Sequence, residues 1–228
     1  MINFREILDN KLKKIKLVRK INYSFKPQYK IFHKFDLNEN SLFIDLGANK
    51  GEVTQFVKDR FNCFTESYEP DVYTFKMLKE RFQFSKKNKI FNLGISKNSI
   101  KKKIYYHKKF NFNNFIYSQS SSFLQKKPNI DVNNFKIVKT LPVKKLLQKH
   151  KYIDLIKIDI EGYEYEIIYE IIKNKNKIKN VLCELHGSPK KTNNTGKINN
   201  NFLSKKYFKL MKYLELKKLI DNWFFEWV

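Results

Sequence analysis

Alanine occurs once in this chain of 228 residues, at Ala48, and glycine only six times. A sequence so poor in small residues has few places where the backbone can turn through positive φ or come close to a ligand. Cysteine is equally scarce, with Cys63 and Cys183 alone. Neither belongs to a CxxC or Cys/His spacing, which argues against a disulfide framework and against structural zinc. No apolar run approaches the roughly 20 residues that cross a bilayer, so no transmembrane segment is expected. Lys and Arg interrupt each apolar run between Ile2 and Ile21. That pattern excludes a secretory hydrophobic region and leads us to expect a reducing, cytoplasmic setting.

Acidic residues are outnumbered by basic ones, 22 against 47, for a formal charge of +25. Such a charge ordinarily signals a polyanionic partner. Only four of the basic residues are Arg, the residue favoured for bidentate phosphate and guanine contacts. Its scarcity counts against nucleic acid as a dedicated partner. Lys, Asn, Ile, Phe and Tyr together make up 126 of the 228 residues, a bias that fills a surface with Lys and Asn without any ligand.

Five of the six glycines, Gly47, Gly51, Gly94, Gly162 and Gly187, fall just after apolar runs, where strands end in turns. Short apolar runs alternate with amphipathic stretches, which predicts an α/β fold with a parallel sheet covered by helices. Strands are expected over Ser41 to Leu46, Cys63 to Tyr68, Lys89 to Leu93, Tyr152 to Ile160 and Lys179 to His186. Helices are expected over Glu52 to Phe61, Asp71 to Phe84, Tyr163 to Lys173 and Phe202 to Tyr213. The second of these takes Asp71 as its N-cap and buries a stripe of Tyr73, Met77, Leu78 and Phe82. Leu214 to Ile220 and Trp223 to Val228 read as a terminal hairpin turning at Asp221-Asn222.

Residues 1–40 read as a basic helical extension and 41–228 as the main domain, with 95–150 inserted as a lid or sheet extension. Phe4 to Ile21 forms an amphipathic helix packed on the domain, with peripheral membrane contact as the other reading. Within 95–150, strand-like runs occupy Ile100 to His107 and Phe135 to Thr140. Asn113-Asn114 and Ser118 to Ser122 offer hydrogen-bonding groups to a polar acceptor, and Lys101 to Lys103 with Lys108-Lys109 offer charge to a phosphorylated one. Solvated loops and a solvated basic face explain the same residues.

In an open parallel sheet, ligands sit beyond the carboxyl ends of the strands where the order reverses. The run Asp45-Leu46-Gly47-Ala48-Asn49-Lys50-Gly51 has the form DxGxNxG and follows an apolar strand. Gly47 and Gly51 allow close backbone approach there, and Asp45 sets a carboxylate at the strand end. Glu69, in Tyr68-Glu69-Pro70, falls eighteen residues after Gly51, where a carboxylate accepts hydrogen bonds from ribose hydroxyls. A dinucleotide loop reads GxGxxG and opens a helix N-terminus to phosphate, whereas an acid at the strand end repels phosphate and suits a cation. S-adenosylmethionine, with a sulfonium and an ammonium, fits better than NAD.

Phe43 to Gly51, Tyr68-Glu69-Pro70, Asp154-Leu155-Ile156-Lys157-Ile158-Asp159-Ile160-Glu161-Gly162-Tyr163-Glu164 and Glu184-Leu185-His186, in this order, resemble the FkbM family of S-adenosylmethionine-dependent methyltransferases. The resemblance implies a class I methyltransferase fold, Rossmann-like, with a seven-stranded and mostly parallel sheet, a C-terminal antiparallel hairpin and helices on both faces. It implies O-methylation of a sugar, glycolipid or small metabolite, so the expected partner is a small-molecule or glycan acceptor. The chain departs from the family at Thr140-Leu141-Pro142, where an acid usually follows the Thr-Leu pair.

The expected cofactor-binding residues are Asp45, Gly47, Asn49, Gly51, Glu69, Pro70 and Gly94. Asp159 is the first candidate for removing the acceptor's proton, with helix capping as its other reading. Glu161 either helps it or stabilises a first helical turn. His186 is a second candidate base, since an ordinary histidine titrates near neutrality. Lys157 lies in an apolar strand and needs a partner, for which Glu184 is the candidate. No metal is expected, and Asp159, Glu161 and Glu184 are the oxygen ligands that would hold one. No Asn/Asp-Pro-Pro-Tyr/Phe run and no Pro-Cys nucleophile occurs, which argues against base methylation. Ribose 2′-O-methylation of RNA and a cofactor-binding scaffold without turnover are the alternatives.

Overall fold

The computed structural model describes residues 27–111, 120–186, 202–216 and 224–227. Its elements run β1 (Leu42–Leu46), α1 (Glu52–Phe61), β2 (Phe64–Tyr68), α2 (Val72–Phe82), β3 (Asn88–Phe91), β4 (Gly94–Ser96), β5 (Lys101–His107), β6 (Ile130–Pro142), α3 (Val143–Gln148), β7 (Ile153–Ile158), α4 (Glu164–Lys173), β8 (Ile178–Leu185), α5 (Phe202–Leu216) and β9 (Phe224–Trp227). A 3-10 helix over Pro27–Lys34 precedes them.

Alternation along the strands sets the layers. Phe43 of β1 and Leu155 of β7 point to one face, where they pack with Phe56 and Val57 of α1 and with Tyr29 and Phe32 of the 3-10 helix. Their neighbours Ile44 and Ile156 point to the other, where Ile167, Ile168 and Ile171 of α4 cover them. Both faces of β1 and β7 are therefore buried, which is why these strands read as nearly continuous apolar runs.

The main sheet has the order β3-β2-β1-β7-β8-β9, and every neighbouring pair is parallel. The order reverses between β1 and β7, the place where open α/β sheets bind ligands. Two expectations need correction. Among the described residues this sheet has six strands rather than seven. The terminal hairpin is also replaced, because Leu214 to Leu216 complete helix α5 and β9 pairs parallel with β8. A helix inserted before an edge strand brings the chain back in the same direction, as a crossover requires. Residues 217–223, the rest of the expected hairpin, lie outside the described residues.

Helix α2 also differs in the face it buries. Asp71 caps it as expected, its Oδ1 accepting from the backbone N–H groups of Tyr73 at 2.9 Å and Thr74 at 3.1 Å. Thr74, Leu78 and Phe82 form the buried stripe, and Met77 stands 38 % exposed. Leu78 and Phe82 of this i, i+4, i+8 line rest on the turn after β1.

Strands β4, β5 and β6 build a second sheet of order β4-β6-β5, in which β5 and β6 form an antiparallel ribbon. The segment around Ser122 adds to its free edge through paired bonds between Tyr105 and Ser122. Among the described residues no helix is long and apolar enough to cross a membrane. Phe4 to Ile21, Asn113-Asn114 and Ser118-Gln119 fall outside the described residues.

Candidate functional site

A cavity of about 330 Å³ opens over the carboxyl ends of the central strands. The turn after β1 forms one wall. The backbone N–H groups of Gly47 and Ala48 both donate to the carbonyl of Tyr68 at 3.0 Å, which pins the loop to β2. Gly47, Asn49 and Gly51 all have positive φ, at 82°, 49° and 76°. Gly47 is required here for a backbone reason: a Cβ on it would stand 1.9 Å from the carbonyl oxygen of Asp159. The close approach that Gly47 permits is thus to the end of β7, and the space that Gly51 leaves open is filled by Leu78 and Phe82 of α2.

Asp45 is fully buried beneath this loop rather than on the cavity wall. Its Oδ2 accepts from Thr54 Oγ1 of α1 at 2.7 Å. Its Oδ1 accepts no hydrogen bond and faces Lys157 Nζ at 3.5 Å. Lys157 also donates to Asp159 Oδ2 at 3.1 Å. Its direct partners are the two aspartates, and the charge of Glu184, the expected partner, adds to theirs. Burial alone would lower the Lys157 ammonium, but Asp159 and Asp45 hold it well above the ordinary range.

Glu69 lies at the tip of β2, 6 % exposed and on the cavity wall. Its two oxygens accept from the backbone N–H groups of Asn49 and Asp71, both at 2.8 Å. The carboxylate thereby joins the β1 turn to the cap of α2. Burial pushes its carboxyl up to about 7, against the opposing hydrogen bond from Asp71. Pro70 lines the cavity beside it. Gly94 stays just behind the wall, where a Cβ would meet the Phe123 ring at 2.4 Å.

Asp159 and Glu184 line the cavity floor from the ends of β7 and β8. Burial would raise Asp159, but the charges of Lys157 and then His186 overcome it and hold its carboxyl below the ordinary range. Burial and the adjacent Asp159 charge push Glu184 up to about 7, and the two carboxyls are hydrogen-bonded. The floor thus carries one ionised carboxylate beside one that holds its proton up to neutrality.

His186 does not line this cavity. Its Nδ1 stands 3.1 Å from Glu164 and its Nε2 3.3 Å from Glu161. Burial would lower it, but hydrogen bonds to Glu161 and Glu164 hold it up to about 10. A ring that stays an imidazolium at neutrality has no lone pair for a proton, which argues against the expected role as base. Glu161 sits in a left-handed turn with φ 56° rather than in a helix. The turn is held from the second sheet, since Ser122 Oγ donates to the Glu161 carbonyl at 2.7 Å and Lys127 pairs with its carboxylate.

Asp159, Glu184 and His186 could together hold a cation. The Lys157 ammonium already neutralises Asp159, and protonated His186 adds a second positive charge, so these side chains are a poor cage for a metal. Sequence reasoning missed Phe123 and Ile104, which close the cavity from the second sheet beside Ser121, a member of the expected Ser118 to Ser122 run. Their loop or alternating settings carry no local signal. It also missed Tyr106, whose hydroxyl donates to Asp71 and ties β5 to the α2 cap.

A parallel sheet whose order reverses beside a carboxylate-lined cleft is the arrangement in which open α/β proteins bind their ligands. Residues 45–215 match the model of the methyltransferase FkbM domain. The chain belongs to that family and is a methyltransferase. No curated protein gives a significant match to it.

Proposed function

We propose that the protein is an S-adenosylmethionine-dependent O-methyltransferase acting on a hydroxyl of a sugar, glycolipid or small metabolite. The observation that carries this reading is the charge of the cleft. In a chain of net charge +25, the cavity is lined by Glu52, Glu69, Asp159, Glu161 and Glu184 against Lys50 and Lys157. A local excess of carboxylate selects a cationic ligand and repels a phosphate.

The residues present fit such a cofactor. Glu69 keeps oxygen lone pairs on the cavity wall, suited to ribose hydroxyls. Ala48, Asn49 and Lys50 line the cavity from the loop, and Asp159, ionised beside Glu184, offers negative charge to an amino or sulfonium group. The bound cofactor supplies a methyl carbon already activated by its sulfonium. What remains for the protein is to position the acceptor and remove its proton.

Asp159, ionised and oriented by Lys157, accepts a hydrogen bond from the acceptor hydroxyl and aims it. Glu184, matched to neutral pH, takes the proton as the ether forms. Lys157 is a positioning residue, and Asp45 fixes Lys157. Calorimetric titration with S-adenosylmethionine tests the cofactor part. Wild type should bind in the micromolar range, and Glu69→Ala should bind at least about tenfold more weakly through lost charged hydrogen bonds. Equal affinity of both proteins contradicts the assignment.

A further inference from the structure

The β5–β6 ribbon has two faces with different work. Its inner face serves the site: Ile104 lines the cavity, Tyr106 reaches Asp71, and Lys136 lies over the Tyr73 ring at 3.9 Å. Alternation sends Lys101 and Lys103 of β5 to the outer face, opposite Lys139 and Ile137 of β6 in the register. Phe135 shares that face, with Lys103 Nζ 4.0 Å from its ring centroid. Ile137 is 67 % exposed and Phe135 38 %, while Tyr105 on the same face is buried and packs on the Phe135 ring. The mechanism above uses none of these residues.

Branched aliphatic side chains between lysines on a sheet are costly to leave in water and need an occupant. The two strands contain a single acid, Asp131, so the occupant is anionic. A second copy of the face would bring lysine against lysine. Residues 1–26 carry eight basic and two acidic residues and share the wrong sign. Single-stranded nucleic acid wants aromatic platforms for its bases, whereas Ile137 offers none, Tyr105 is buried and Lys103 covers Phe135. An anionic bilayer satisfies both features, since its headgroups attract Lys and its acyl boundary accepts Ile and Phe.

We infer that the outer face of the β5–β6 ribbon, through Lys101, Lys103, Lys139, Phe135 and Ile137, docks the enzyme on an anionic membrane surface. The inference does not rest on the choice of cofactor or acceptor.

The test is co-sedimentation of the full chain with vesicles of phosphatidylcholine alone and with about one third phosphatidylserine. Each lysine at such a surface contributes about fivefold to partitioning. Wild type should therefore partition at least about tenfold better onto the anionic vesicles. The triple variant K101E/K103E/K139E should lose that preference. Ile137→Ser should weaken partitioning severalfold at unchanged charge, and a control, K151E/K175E/K177E, removes equal charge from exposed positions at the opposite ends of β7 and β8 and should keep most of it. Circular dichroism and thermal melting of each variant check that it is folded. Equal partitioning of wild type onto neutral and anionic vesicles overturns the proposal, as does equal loss in the control triple. Retention of a shared RNA oligonucleotide site or a dimer in gel filtration, abolished by K101E/K103E/K139E while vesicle binding stays intact, also overturns it.

Discussion

A Cβ on Gly47 would lie 1.9 Å from the carbonyl oxygen of Asp159, so the turn that lines the cavity and the strand end that carries the candidate catalytic acid can meet only through a glycine. Gly47→Ala must move backbone as well as strain a φ of 82°. We expect a loss of about 2–4 kcal/mol in urea unfolding, from left-handed strain together with overpacking. Gly94→Ala meets the Phe123 side chain, which can swing, and should cost less. A Gly47→Ala protein as stable as wild type contradicts this packing.

Lys157 is a buried cation between two carboxylates, with its side chain 11 % exposed. Lys157→Met keeps the length and deletes the charge, which leaves Asp45 buried without its counter-ion. The expected cost is about 3–5 kcal/mol, as for breaking one side of a buried pair. Chemical denaturation measures it, and a change below about 1 kcal/mol would mean that Asp45 is stabilised by Thr54 alone.

His186 links stability to pH. Its folded pKa, held up to about 10 by Glu161 and Glu164, exceeds the ordinary 6.5. A group raised in the folded state adds stability that is complete below about 6.5 and is lost as pH rises through about 10. His186→Gln should therefore cost about 2–4 kcal/mol at pH 6, and the gap to wild type should shrink by pH 10. A gap that does not change with pH would show that the ring acts by packing.

Glu184 gives a different pH signature. With cofactor saturating, turnover should rise with pH through about 7 as Glu184 loses its proton. Glu184→Gln should lower turnover by about 10²- to 10⁴-fold, the range for a positioned acid or base, and should flatten that rise. His186→Gln removes a cation that lowers Glu184, so the rise should move to higher pH if the protein remains folded.

The parallel sheet and the acid-bearing loop were legible because each rests on local pattern, apolar runs, a cap at Asp71 and glycines at strand ends, whereas the strand order rests on pairings that leave no local mark. Lys157 was recognisable as needing a partner, yet its partner was not. Asp45 faces it across the β1–β7 register, Asp45 opposite Lys157, and pairing between strands 112 residues apart leaves no mark on the chain. The ion pairs of His186 left no mark for the same reason, since Glu161 and Glu164 meet it only in the folded chain. The terminal hairpin was read from two apolar runs and an Asp-Asn turn, and α5 won because Leu214 to Leu216 extend its helical period.

The central claim is methyl transfer from S-adenosylmethionine to a hydroxyl. The most direct measurement is to incubate the purified protein with methyl-labelled S-adenosylmethionine and a cell extract, then follow label in saccharide, lipid, RNA and protein fractions, with Glu184→Gln in parallel. The account predicts label in saccharide, lipid or small-metabolite fractions that survives mild alkali, as an ether does and an ester does not, and that Glu184→Gln largely removes. Label confined to RNA or protein, or wild type that binds the cofactor and labels nothing in any fraction, would contradict it.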